Sequence, residues 1–334
     1  MQLDRVKELL QNVQDKRLLV IGDLMLDEFV WGRVSRISPE APVPVVEVIR
    51  ESYYPGGAAN VARNVREFVH AIQVMGVVGQ DSHAERLKKI LEDCGIGLEA
   101  IESDPSFHTI VKTRIIARHQ QVVRVDRERA QPSSEELQDR CLRKLRALLP
   151  DLDAIIFEDY GKGFLQQHFV DEVVSLANRS GKLVTADPNP RNRLTWRGLT
   201  AVKPNRSEAF AATNEPWVEP EGNPLQDSAL HRVGNELMKV WSPKHLLITL
   251  GEHGMLLLDG EEPPYHVPSR AREVFDLSGA GDTAIALFTL ALAGGATAIE
   301  AAEISNHASS VVVGKLGTAT VSPGELLQSF QENG

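Results

Sequence analysis

The sequence predicts an α/β fold on a mostly parallel sheet, and three observations carry that prediction. Short apolar runs alternate with helical stretches along most of the chain: "RLLVIGD" (17–23), "IQVMGVVG" (72–79), "DAIIFED" (153–159), "KLVTADP" (182–188), "AVKPN" (201–205) and "HLLITLG" (245–251), with helical patterns such as "SEELQDRCLRKLRALL" (134–149) between several of them. The runs are continuously apolar, as in strands covered on both faces by crossover helices. Each run ends in Gly, Asp, Pro or Asn, and ligands in such sheets bind beyond the carboxyl ends of the strands. Asp23, Asp159, Asp187, Asn205 and Gly251 are therefore the first positions to inspect.

Ahead of the first strand, "MQLDRVKELLQNVQDK" (1–16) has the spacing of an amphipathic helix and no signal-peptide core. Two later stretches break the rhythm. "VWGRVSRISPEAPVPVVEVIRESYYPGG" (30–57) is Pro-rich and β-like, and "HTIVKTRIIARHQQVVRVDRE" (108–128) interleaves β-branched residues with arginines. Together they predict a small antiparallel sheet projecting from the body, either a lid or a dimer contact, with ordinary edge strands as the plainer alternative. The apolar run after Asp282 is interrupted by Thr289, Gly294 and Gly295; it is too short to span a bilayer and reads as a core helix. A length of 334 residues without internal repeats fits one large α/β domain, 1–334, or a domain with an appendage.

Charge narrows the function. Lys plus Arg number 36 against 46 Asp plus Glu, a net charge of −10, which argues against nucleic acid or an anionic membrane as the main partner. A phosphorylated small molecule stays open, because local basic clusters sit readily on an acidic body. Cys94 and Cys141 lack metal-ligand spacing, as do the ten histidines. A cytoplasmic protein with reduced thiols is expected.

The chemistry-bearing motifs follow glycines. "DLSGAGDT" (276–283) feeds Gly279, Ala280 and Gly281 into the apolar helix, with Asp282 in its first turn. A glycine turn at a helix N-terminus offers unpaired N–H groups to an anion. Asp282 there is either a helix cap or a base that takes a hydroxyl proton beside a transferring phosphoryl group. Neither a P-loop nor a complete G-x-G-x-x-G pattern occurs. "PGGAANVARNV" (55–65) puts Gly56 and Gly57 before a helix with Asn60 in its first turn, suited to sugar hydroxyls or simply a tight turn. In "KPNRSEA" (203–209), Asn205 and Glu208 are spaced either to hold Mg²⁺ through waters or to form a capping box. "TLGEHGMLLL" (249–258) reads as strand, turn and strand, and its glycines would admit a ribose. Lys162, Arg114, Arg118 and Arg124 are candidates for a substrate phosphate, each with a solvated surface charge as its alternative. His307, beside Asn306, would line a base pocket or sit in the core.

In this order, the motifs resemble the ribokinase-like, or PfkB, carbohydrate kinases. "GGAANVARNV" is similar to their sugar-binding signature and "DLSGAGDT" to their catalytic signature. The resemblance implies a three-layer α/β/α fold with a projecting β-sheet lid, and an ATP- and Mg²⁺-dependent kinase acting on a sugar or sugar phosphate. It implies Asp282 as base, with Gly279, Ala280 and Gly281 as anion hole. Asn205, Arg206, Ser207 and Glu208 would border ATP and its Mg²⁺, with Glu208 toward the metal; Gly251 and Gly254 would line the ribose and Asn306 the adenine. Asp23, Gly56, Gly57 and Asn60 would hold sugar hydroxyls, and Lys162 and Arg118 a substrate phosphate. "VIGDLMLDEFVWGRVSRISPEAPVPVVEV", "DYGKG" and "VVVGKLGTATVSP" resemble the branch that phosphorylates D-glycero-β-D-manno-heptose 7-phosphate at C1, on the route to ADP-heptose and the lipopolysaccharide inner core. That branch often carries a fused nucleotidyltransferase; this chain resembles its stand-alone form. A homodimer joined through the lid sheets follows from the same analogy. The alternatives are another sugar kinase of this fold and a non-catalytic nucleotide- or sugar-binding regulator.

Overall fold

The computed structural model describes residues 1–117, 120–220, 222–260, 262–271, 274–315 and 317–332. In chain order the elements are α1 (Leu3–Asn12), β1 (Arg17–Gly22), β2 (Leu24–Ile37), β3 (Pro44–Gly57), α2 (Ala58–Arg66), β4 (Ala71–Val78), α3 (Ser82–Asp93) and β5 (Ile101–Ser103). They continue through β6 (Ile110–Ala117), β7 (Gln120–Arg127), α4 (Glu135–Leu148), β8 (Ala154–Glu158), α5 (Gln167–Arg179), β9 (Leu183–Asp187), β10 (Ala201–Val202) and α6 (Arg206–Thr213). The rest is α7 (Ser228–Trp241), β11 (His245–Thr249), β12 (Met255–Asp259), β13 (Tyr265–Val267), α8 (Ala280–Ala293), α9 (Ala298–Val313) and α10 (Pro323–Glu332).

The main sheet has nine strands in the order β13-β12-β11-β10-β9-β8-β1-β4-β5. Pairing is parallel from β5 to β11, and only β12 and β13 join antiparallel. One face is covered by α1, α2, α3, α8, α9 and α10, the other by α4 to α7, so the apolar runs are buried on both sides. This is the three-layer arrangement the sequence predicts. The chain runs outward from β1 to β4 and β5 on one side and then returns across to β8 on the other, so the order reverses at β1. A crevice opens at such a switch point, and Asp23 and Glu158 stand at its rim.

The two stretches that break the rhythm do form a separate sheet, of order β3-β2-β6-β7. It is mixed rather than antiparallel. β2 and β6 run parallel in register from Met25↔Ile110 to Gly32↔Ala117, because β6 arrives after a crossover through the main body. β2 also begins at Leu24, well before position 30, so this sheet grows directly out of β1 with only Asp23 between. Ile37, Val48, Ile49, Val122, Val123 and Val125 leave this sheet exposed to solvent.

Candidate active site

α8 is apolar around its whole circumference, and Asp282 through Ala291 are buried, which fixes its N-terminus at the carboxyl edge of the sheet. Gly279 caps it with φ +80°, and a Cβ there would lie 2.9 Å from the Asn60 amide nitrogen, so glycine is required both for the turn and for the approach. Asp282 is only 5% exposed. Its Oδ2 accepts from Asn60 Nδ2 at 2.6 Å and its Oδ1 from the Tyr160 hydroxyl at 3.0 Å. Burial raises its pKa above the ordinary aspartate value, and these two donors hold the rise back. A carboxylate fixed from both sides and made more basic by burial is suited to accept a proton.

Asp23, Gly56, Gly57 and Asn60 meet where β1, β2 and β3 converge. The Asp23 carbonyl accepts from Ala58 N at 3.1 Å, and Gly57 has φ +58° where a Cβ would strike that carbonyl. One oxygen of Asp23 is used locally, its Oδ2 accepting from the backbone N–H groups of Tyr160 and Lys162 at 3.0 and 3.1 Å. It thereby positions the "DYGKG" loop that delivers Tyr160 to Asp282. Asp159 steadies the same loop through Gly161 N and Asn192 Nδ2, and burial next to Asp23 pushes its pKa up to about 7.

Beyond Asp282 lies a polar cavity of about 300 Å³, lined among others by Glu158, Asp187, Lys203, Asn205 and Glu208. Lys203 Nζ pairs with Asp187 at 2.7 Å. Burial alone would lower the pKa of that ammonium, but Asp187 and Glu208 outweigh it and the pKa is raised. Glu158 is shifted toward its neutral form: burial, then Asp187 and Asp282, raise its pKa well above the usual carboxylate range. Asn205 and Glu208 form the capping box, with Asn205 Oδ1 accepting from Glu208 N at 2.9 Å and Glu208 Oε2 from Asn205 N at 2.7 Å. Glu208 still lines the cavity. Next door, an apolar cavity of about 430 Å³ is walled by Gly251, Gly254, Val274, Leu277, Asn306 and Ser309. The two share Thr249, Leu277 and Gly281.

Other sequence candidates go elsewhere. Arg206 is buried with its guanidinium on Asp227 at 2.6 Å and on the Val218 carbonyl, against the rings of Phe210 and Trp217, and lines neither cavity. Ser207 Oγ donates to Asn205 Oδ1. Asn306 Nδ2 donates to the Pro268 carbonyl at 2.8 Å at the edge of the apolar cavity, whereas His307 stacks on Phe330 between α9 and α10. Lys162 Nζ is paired with Glu128, Arg114 with Asp27 and Arg124 with Asp126. Arg118 lies outside the described residues. Sequence reasoning missed Tyr160, Glu158 and Lys203. The last had one usable signal, an apolar strand ending in lysine, where a buried ammonium demands a carboxylate partner.

Residues 15–324 match the family model described as pfkB family carbohydrate kinase. Among curated relatives, the bifunctional protein HldE of Trichlorobacter lovleyi is 41% identical over 96% of this chain, and that of Geobacter sulfurreducens 39% over 99%. The chain spans 64% and 66% of those two proteins. Among solved structures, phosphofructokinase-2 from Escherichia coli in complex with potassium superposes with a TM-score of 0.77 at 17% identity, covering 96% of this chain and 99% of that one. Arabidopsis thaliana ribokinase complexed with ribose and ATP gives 0.71 at 18%, covering 95% and 99%. With the two glycine signatures brought together at Asp282, the chain belongs to the pfkB family of carbohydrate kinases.

Proposed function

We propose that this chain transfers the γ-phosphoryl group of ATP to the C1 hydroxyl of D-glycero-D-manno-heptose 7-phosphate, giving the 1,7-bisphosphate for lipopolysaccharide inner-core synthesis. The observation that carries the kinase reading is the buried Asp282 carboxylate, clamped by Asn60 and Tyr160 at the N-terminus of α8. The heptose rests on the sequence resemblance, and the relatives named HldE support it. Asp282 accepts the proton of the acceptor hydroxyl, whose oxygen attacks the γ-phosphorus as the bond to the β,γ-bridging oxygen breaks. The N–H groups of Gly279 and Gly281 offset the charge on the moving phosphoryl, that of Ala280 being given to the Leu277 carbonyl at 3.3 Å, and Lys203 adds a fixed positive charge across the cavity. The apolar cavity suits an adenosine, with Gly251 and Gly254 beside the ribose.

Mg²⁺ keeps several waters and takes one or two carboxylates plus phosphate oxygens. Glu208 and Asp187 suit such an ion, and among the described residues no group of three or more acidic, His or Cys side chains is placed to hold one alone. When bound, the ion would neutralise phosphate charge. Among the described residues no helix is long and apolar enough to cross a membrane, and we place the reaction in the cytoplasm.

Incubation with ATP, Mg²⁺ and the heptose 7-phosphate is expected to give a new anomeric phosphate resonance in ³¹P NMR. No resonance from a folded protein that binds ATP removes the heptose and leaves another sugar as acceptor. The exposed valines and isoleucines of the second sheet support a homodimer through that sheet. Sedimentation equilibrium should then show a dimer that Ile49→Asp with Val123→Asp converts to a monomer; unchanged mass would place the contact elsewhere.

A further inference from the structure

The second sheet brings a charge imbalance to the acceptor side of Asp282. Lys112 and Arg114 on β6 share a face with Asp27 on β2, whose register partner is Lys112. Three cations gather here with two carboxylates. Arg114 pairs with Asp27 at 2.6 Å and lies over the Phe29 ring, and Lys162 pairs with Glu128 at 2.7 Å. Lys112 has no ion pair or side-chain hydrogen bond of its own among the described residues. Its ammonium stands 4.7 Å from the centroid of the Tyr160 ring. Burial lowers its pKa; Asp27 and Glu128 act against that, and Lys162 and Arg114 lower it by smaller amounts.

A partly buried ammonium without a counter-ion is unfavourable, and a cation–π contact offsets only part of the loss. An anion supplied from outside would complete the cluster. Its position is informative, because the hydroxyl of that same Tyr160 donates to Asp282. The tyrosine ring thus separates the unpaired cation from the base. A ligand reaching both needs its anion and its reacting hydroxyl at opposite ends of a short polyhydroxy chain.

We propose that Lys112 anchors the phosphomonoester of a sugar-phosphate acceptor, flanked by Arg114 and Lys162, with the far hydroxyl presented to Asp282. This rests on the kinase reading of the site and assigns the phosphate to a residue that the sequence motifs pass over. The deciding measurement is calorimetric binding of D-glycero-D-manno-heptose 7-phosphate and of the unphosphorylated heptose, both with β,γ-imido-ATP present. Wild type should prefer the phosphorylated sugar. Lys112→Met should cut that preference about 10- to 100-fold, the worth of a charge-assisted hydrogen bond, while Lys112→Arg keeps most of it. An unchanged preference in folded Lys112→Met protein overturns the assignment. Should wild type bind neither sugar, the heptose reading fails separately, and inorganic phosphate becomes the probe. Phosphate binding lost in Lys112→Met then supports the anchor; equal binding in both proteins, or none in wild type, rejects it.

Discussion

Asp282→Asn is expected to lower kcat about 10³-fold while leaving nucleotide affinity and folding intact, since general-base catalysis contributes 10² to 10⁴. The amide fits the same space. Tyr160 can still donate to its oxygen, and Asn60 can rotate so that its Oδ1, buried without a partner among the described residues, accepts from the new NH₂. Stability should not fall at neutral pH. The folded pKa of Asp282 is raised, so the native state binds the proton more tightly than the unfolded chain. Ionising it therefore costs stability progressively as pH climbs from the ordinary aspartate value, 3.8, through the raised one, and the neutral amide avoids that cost. The same shift sets the acid limb of kcat/KM in wild type, which should fall as pH drops through a value above the ordinary carboxylate range. Stopped assays with purified sugar phosphate and a thermal melt of each protein test both halves. A variant turning over near the wild-type rate would remove Asp282 as base.

Lys203→Met should produce the largest loss of stability, about 3–5 kcal/mol, because it leaves Asp187 buried without its counter-ion. Both side chains are nearly inaccessible, at 3% and 12%, so water does not repair the loss. Burial already raises the folded pKa of Asp187 to about 8, and removing the ammonium raises it further, so this part of the deficit opens above about pH 8 and widens as pH rises. Thermal unfolding should therefore show a larger Tm drop at pH 9 than at pH 6. Lys203→Met combined with Asp187→Leu should recover much of the Tm without recovering kcat, since the positive charge beside Gly281 is gone as well. Equal melting of single variant and wild type would show that the pair contributes nothing.

Much of this arrangement was legible in the sequence because it is local. The continuous apolar runs gave the parallel strands, and "DLSGAGDT" gave a glycine turn feeding a buried helix. The Asn205–Glu208 capping box was also a local alternative, and it is formed. What escaped depends on contacts between distant segments. That Tyr160 reaches Asp282 depends on Asp23 holding the loop backbone, and no spacing rule records this. Arg206 lies between Asn205 and Glu208, which line the polar cavity, yet the helix turns it toward Asp227. The parallel pairing of β2 with β6 follows from a crossover through the body, which β-like composition cannot distinguish from a hairpin.

The way β2 and β3 are rooted in the main sheet divides the labour along the chain. Residues proposed for the acceptor come from positions up to 162, while those proposed for ATP and its metal begin at Asp187. The Asn60–Asp282 and Tyr160–Asp282 hydrogen bonds stitch the two halves at the point of reaction. Acceptor preference can then drift by changes in the second sheet and its neighbouring loop without disturbing nucleotide affinity. Such a scaffold lets a lineage exchange one sugar for another while inheriting its phosphoryl donor unchanged.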